Sequence, residues 1–212
     1  LYSDAQRVLS IIFLPFLLCI SNVWSLDNIE FDNEHYQTFI ESYPKTKQNQ
    51  VRSLLDSYTY KPRIIELITK PSEKLSWPQY EKLLVNTKRL EQGNKFMREN
   101  AKILWQVCEK YGVPPRILSA LIGVETSYGQ NTGSWKVGDA LKTLSFTADY
   151  SRRGFFQKEL GIYLDKVLDG ALPNDLQGSY AGAFGLTQFI PSSYASYAVP
   201  FDDSASYCNL MK

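Results

Sequence analysis

A mostly α-helical fold is expected from three features of the sequence. Apolar residues recur at three- and four-residue spacing, glycine and proline fall at the ends of those runs, and no two-residue alternation lasts long enough to build a sheet. Residues 33–43, 47–58 and 62–69 read as three short helices, and Pro62 takes a first-turn place where a missing N–H costs nothing. Together they form a small N-terminal helical lobe, residues 26–76. Trp77-Pro78-Gln79-Tyr80 opens a second unit, residues 77–212. Within it Gly93-Asn94 precedes a long amphipathic helix in which Phe96, Met97, Ile103, Leu104, Val107, Cys108 and Tyr111 share a face, and Gly112 ends it. Pro114-Pro115 starts a helix that runs through Tyr128 to Gly129, and another extends from about Arg153 to Asp169 and stops at Gly170. The chain carries no internal repeat.

The first 25 residues read as a signal peptide. No charge occurs between Arg7 and Asp27, and Val8 to Ile20 is apolar apart from Ser10 and Pro15. That stretch is short for a membrane span and suits a signal h-region, with Val23-Trp24-Ser25 supplying a cleavage site and Leu26 the mature start. An uncleaved anchor is the alternative. Cys19 follows the bulky Leu18, which offers little support for lipid attachment.

Charge and rare residues narrow the chemistry. Lys and Arg number 23 against 22 Asp and Glu, so no net field favours a polyanion, and nucleic acid is not an expected partner. Aromatic residues make up 14% of the chain, and their faces suit sugar rings as well as protein interiors. Loss of the signal would leave only Cys108 and Cys208, whose pairing cannot be inferred, and His35 is the sole histidine. A histidine-based zinc site, a Ser-His-Asp triad and a Cys-His dyad are therefore not expected, and acid/base work falls to carboxylates, Tyr or Lys.

Glu125 is the leading candidate. Leu118, Leu121 and Ile122 lie seven, four and three residues before it, so the acid shares a face with apolar neighbours, and it stands in a last helical turn whose dipole disfavours negative charge. Both effects raise a carboxyl pKa, as a general acid near neutrality requires. A salt-bridging or capping role in a fold-holding network remains open at this level. The run from Gly178 to Tyr194 packs small residues around Gln188, which donates to and accepts from N-acetyl or hydroxyl groups; a plain turn before a stop at Pro191 fits it equally.

These segments together resemble a family. Tyr111-Gly112-Val113-Pro114-Pro115, Ile122-Gly123-Val124-Glu125-Thr126, Asp139-Ala140-Leu141, Thr143-Leu144-Ser145-Phe146 and the glycine-rich run through Tyr194 are similar, in order, to lytic murein transglycosylase B proteins, continuously from about Trp77 to Phe201. The resemblance implies a lysozyme-like helical catalytic domain that cleaves the β-1,4 bond between N-acetylmuramic acid and N-acetylglucosamine and leaves a 1,6-anhydro ring. It puts Glu125 at the place of a single catalytic acid/base, with assistance from the substrate's own N-acetyl group. Most glycosidases pair two carboxylates; Asp139, Asp149 and Glu159 are conceivable second ones, expected to be structural or solvated. Ser179 matches a residue that holds the catalytic carboxyl, Gln188 one that lines the sugar cleft, and Tyr80 a tyrosine near the site, with core packing as its alternative. Arg152 and Arg153 match a paired arginine suited to acidic groups of the peptide stem, in an uncertain register.

The resemblance further implies peptidoglycan glycan strands as substrate, a periplasmic or cell-envelope location, and proteins of cell-wall synthesis or remodelling as candidate partners; a monomer is the default expectation. Phe201-Asp202-Asp203-Ser204-Ala205-Ser206-Tyr207-Cys208 lacks the spacing that wraps calcium, so no metal or cofactor is expected. Family members continue through further helices, so the unit is expected to be incomplete at its C-terminus. A hydrolytic muramidase, or a noncatalytic or degenerate peptidoglycan-binding protein, are the alternative readings.

Overall fold

Asp32 starts the first helix, α1 (Asn33–Glu41), because its carboxylate accepts the His35 amide at 3.0 Å. Two further helices follow, α2 (Lys45–Asp56) and α3 (Pro62–Thr69). Their buried residues stand four apart or adjacent on one face: Tyr36 and Ile40, Val51 and Leu55, Ile64 and Ile65. A computed structural model of the chain describes residues 29–69, 76–201 and 207–210. The expected signal segment with Cys19 lies outside these, as do residues 202–206.

What these helices cover is a fourth, α8 (Val137–Ser145), every residue of which is buried. Val137, Ala140, Leu141 and Leu144 fill the core, together with Leu160, Tyr163 and Leu164 of α9 (Arg153–Leu168). Three polar residues of α8 hold neighbouring backbone. Lys142 Nζ donates to the carbonyls of Leu55 at 2.9 Å and Tyr58 at 2.8 Å, at the C-terminal end of α2. There a cation also meets the helix dipole favourably, and the ammonium lies 5.6 Å from the Tyr36 ring centre. Asp139 Oδ1 accepts the Thr59 amide at 2.8 Å, and Thr143 Oγ1 accepts the Lys61 amide at 2.9 Å. The backbone between α2 and α3 is thus held by one face of α8. Burial keeps the Lys142 pKa below its ordinary value, outweighing the opposite pull of Asp56 and Asp139.

Helix α4 (Trp77–Leu84) buries none of its residues, and the three helices after it form a second packing group: α5 (Thr87–Glu99), α6 (Ala101–Tyr111) and α7 (Pro115–Thr126). Both α5 and α6 pack on α7. The long helix expected after Gly93 is two helices, broken at Asn100, whose side-chain amide donates to the Phe96 carbonyl at 2.9 Å and so closes α5. Gly93 lies inside α5 rather than before it, and the Tyr128 hydroxyl fills the space a Cβ there would need. The fold is mostly helical, and its strands among the described residues are a two-residue pair, β1 (Trp135–Lys136) antiparallel to β2 (Gln177–Gly178). A last helix, α10 (Pro191–Tyr197), rests on α9. Cys108 and Cys208 are free thiols.

Lys142→Met removes a buried ammonium and leaves two carbonyls without that donor. It is expected to lower the unfolding free energy by about 2 kcal/mol and the melting temperature by about 4–8 °C; calorimetry showing a melt within a degree of the wild type would contradict the capping role.

Candidate active site

Helix α7 opens at Pro115 and buries Ser119, Ile122, Gly123 and Thr126 on one side. Its opposite flank is wet: Ile117, Leu121 and Val124 are 53%, 39% and 40% exposed. Glu125 stands between the two regimes. Its carboxyl is half-buried, and among the described residues it has neither a hydrogen-bond partner nor an ion pair. Burial pushes its pKa above the ordinary glutamate value, with no opposing cation to bring it down.

The turn that follows is held by the neighbouring threonine. Helix α7 ends at Thr126, two residues earlier than the sequence suggests, because Ser127 and Tyr128 take left-handed conformations with φ of 50° and 61°. Thr126 Oγ1 accepts the Gly129 amide at 3.0 Å and lies 3.2 Å from both the Ile122 and the Leu186 carbonyl oxygens. With a single proton it donates to one of them at a time. Leu186 belongs to the glycine-rich run, so this hydroxyl bridges the end of α7 to that loop. A second bridge comes from Gln188, whose Nε2 donates to Thr132 O at 3.1 Å and to Gly185 O at 3.0 Å. A third is backbone against backbone: a Cβ at Gly133 would fall 2.1 Å from the Gly178 carbonyl, which only glycine avoids.

The glycine-rich run therefore lies along the segment that follows α7. Ser179 Oγ accepts the amides of Ala181 at 3.3 Å and Ala183 at 3.1 Å, which stiffens the loop, and it makes no hydrogen bond to Glu125, contrary to the expectation that it holds that carboxyl. Two other expected residues are engaged elsewhere. Arg153 Nη1 is bonded to Asp32 Oδ2 at 2.8 Å, tying α9 to the N-terminal helices. The Arg152 guanidinium lies 5.2 Å from the ring centre of Phe155 and 5.3 Å from that of Phe156. Tyr80 is 37% exposed on α4.

The three conceivable second carboxylates have other surroundings. Asp139 is buried in α8 holding the Thr59 amide. Glu159 is buried in α9, and its Oε2 accepts the Ser192 amide at 2.8 Å at the start of α10. Asp149 is exposed. Among the described residues no group of three His, Cys, Asp or Glu side chains converges to hold a metal ion. Thr126 was not singled out by the sequence, whose only hint is that it adjoins Glu125.

The helical core carries one half-buried acid at the end of α7, with a glycine-rich loop latched to the segment that follows it, an arrangement to be compared with solved lysozyme-like domains. A transglycosylase SLT domain model matches residues 36–207. Over 128 residues, 59% of this chain and 35% of the relative, the sequence is 41% identical to membrane-bound lytic murein transglycosylase B of Escherichia coli K12. The fold is similar to that of the catenated lytic transglycosylase SltB1 from Pseudomonas aeruginosa, with TM-score 0.73 and 37% identity over 79% of this chain and 57% of that one. It is also similar to SltB3 from the same organism, solved with NAG-anhNAM-pentapeptide, with TM-score 0.70 and 26% identity over 81% of this chain and 45% of the other. The chain belongs to the lytic murein transglycosylase B family of SLT-domain proteins. It spans about a third of the length of the curated relative and little more than half of SltB1.

The raised Glu125 pKa carries a stability signature. A carboxyl with a higher pKa folded than unfolded binds more protons in the native state, so stability declines as pH rises through the unfolded and then the folded value. Glu125→Gln removes that decline. Its melting temperature is expected to exceed the wild type's at pH 7, with the gap closing below the ordinary glutamate range; a variant less stable than the wild type at pH 7 would contradict the desolvation.

Proposed function

We propose that this chain is a peptidoglycan lytic transglycosylase that uses Glu125 as its single acid/base and leaves a 1,6-anhydromuramoyl product. The observation that carries the reading is the unpartnered, half-buried Glu125 carboxyl with its raised pKa. The engagement of Asp139 and Glu159 by backbone amides supports it, because neither carboxylate is poised to activate a water. The ligand of the SltB3 structure contains an anhydro sugar of the kind this reaction forms.

In the proposed chemistry the protonated Glu125 gives its proton to the oxygen of the β-1,4 bond between N-acetylmuramic acid and N-acetylglucosamine. The bond from the muramoyl anomeric carbon to that oxygen breaks, and the acetylglucosamine departs as an alcohol. The substrate's N-acetyl oxygen supports the electron-poor centre meanwhile. Glu125, now a carboxylate, takes the proton of the muramoyl 6-hydroxyl, and that oxygen closes onto the anomeric carbon. Atoms balance without water, and the acid ends protonated for the next cycle.

The loop contributes around this carboxyl. Ser179 Oγ already accepts two amides, so what it has left to offer is its proton, which suits a donor to the Glu125 carboxylate. Gln188 spends its amide protons on backbone, and its Oε1 remains as an acceptor for a sugar hydroxyl or acetamido N–H. Tyr80, Arg152 and Arg153 complete the proposed substrate-binding set, Arg153 through the part of its guanidinium that Asp32 does not use. Residues 1–25 act as the export signal in this reading and place the protein in the periplasm or cell envelope, working on glycan strands alongside proteins of wall synthesis or remodelling. The N-terminal lobe, residues 26–76, then supports the transglycosylase unit, residues 77–212.

Purified peptidoglycan digested with the chain is expected to yield anhydromuramoyl fragments by mass spectrometry, and Glu125→Gln to lower their rate at least about 100-fold. Reducing-end muramic acid products would instead indicate a hydrolytic muramidase. Sacculus binding without products would indicate a noncatalytic glycan-binding protein, and unchanged turnover in the variant would reject Glu125.

A further inference from the structure

Arg89 stands in the first turn of α5, where Asn86 Oδ1 caps its backbone amide at 3.0 Å. A cation there opposes the dipole of its own helix. Its guanidinium reaches instead to the other end of a different helix. Nη1 donates to Gly123 O at 2.7 Å and Nη2 to Ser127 Oγ at 3.1 Å, so the two arms of one planar fork span the last turn of α7. Gly123 O also accepts the Ser127 amide at 3.1 Å, which uses both of its lone pairs. At that helix end the positive charge is favourable.

The turn so clamped is a costly one. Ser127 and Tyr128 are consecutive non-glycine residues in the left-handed region, each disfavoured by about 1–2 kcal/mol. Such a conformation persists only where its surroundings over-determine it. Besides the Arg89 fork, the Tyr128 ring is wedged between two helix glycines. A Cβ at Gly93 would lie 2.4 Å from its hydroxyl and one at Gly123 2.5 Å from its ring, while Phe96 packs against it with ring centres 5.4 Å apart. Helix α5 therefore supplies Arg89, Gly93 and Phe96 to the end of α7 and the turn directly after it, with Arg89 spanning the residues on either side of Glu125.

We propose that Arg89 is a positioning residue for Glu125: by spanning Gly123 and Ser127 on either side of it, the guanidinium fixes the direction in which the carboxyl leaves the helix. The assignment rests on the reading of Glu125 as the proton donor. Arg89 touches no reacting atom in this role. Its removal frees the left-handed pair to relax and lets the carboxyl wander from the glycosidic oxygen, a displacement to which proton transfer is far more sensitive than substrate binding.

The test compares wild type, Arg89→Ala, Arg89→Lys, Arg98→Ala as a control on the same helix, and Glu125→Gln, by initial rates on solubilised glycan strands. Arg89→Ala is expected to lose about 10–100-fold in kcat with KM changed less than about twofold. Millimolar guanidinium is expected to restore several-fold of that loss, and to restore nothing in Glu125→Gln. Arg89→Lys, which reaches one acceptor where arginine reaches two, is expected to fall between Arg89→Ala and the wild type, and it carries the test if Arg89→Ala does not fold. A wild-type kcat in Arg89→Ala, or a loss that appears in KM alone, or a kcat loss that guanidinium does not relieve, would overturn the positioning role while leaving Glu125 in place. Turnover in Glu125→Gln, or no products from the wild type, would overturn the proposed function and the role of Arg89 with it.

Discussion

A helix with no side exposed to water must satisfy its charged side chains inside the protein, and α8 does so for Asp139 and Lys142 by gripping the chain between α2 and α3, while the buried Ser145 hydroxyl has no partner among the described residues. Lys142, Asp139 and Thr143 exchange hydrogen bonds with the backbone of Leu55, Tyr58, Thr59 and Lys61. Because an unpaired buried polar group costs more than a satisfied one gains, this is a strict constraint on register rather than a large source of stability. It also reaches the candidate site. Helix α8 continues directly from β1, β1 pairs with β2, and Ser179 follows β2, so the glycine-rich loop is anchored to the most deeply buried element of the fold.

The other half of the site hangs on α7, which belongs to the second packing group. Three contacts bring the halves together: the Thr126 hydroxyl with Leu186, the Gln188 amide with Thr132, and the Gly133 backbone with Gly178. All three hold backbone to backbone or side chain to backbone, and none uses the Glu125 carboxyl. The acid is thereby left half-buried and unspent, the condition in which a carboxyl keeps its proton toward neutrality and has a lone pair to offer when it loses it.

Much of this was legible along the chain. The apolar spacing and the flanking Pro114-Pro115 give α7, and the position of Glu125 on it gives the acid with apolar neighbours. Helix α8 was visible only as motif blocks, since its polar residues face other parts of the chain and so leave no water-facing stripe to mark a helix. Helix α7 ends two residues before its apolar spacing suggests, because the left-handed pair Ser127-Tyr128 is held largely by contacts from α5 that the local spacing does not announce. The break at Asn100 depends on a side-chain amide folding back on Phe96 O, a choice that competes evenly with helix continuation. The partnership of Arg153 with Asp32 joins distant segments, and nothing in the spacing of either residue announces it.

The most direct test of a desolvated, unpartnered acid is its own titration. With glutamate labelled at the side-chain carboxyl carbon, and Glu125 assigned by its absence from the Glu125→Gln spectrum, the Glu125 resonance is expected to titrate above the ordinary glutamate range. A Glu125 midpoint within the ordinary glutamate range would contradict the desolvation and, with it, the proposed role of this carboxyl as a proton donor near neutrality.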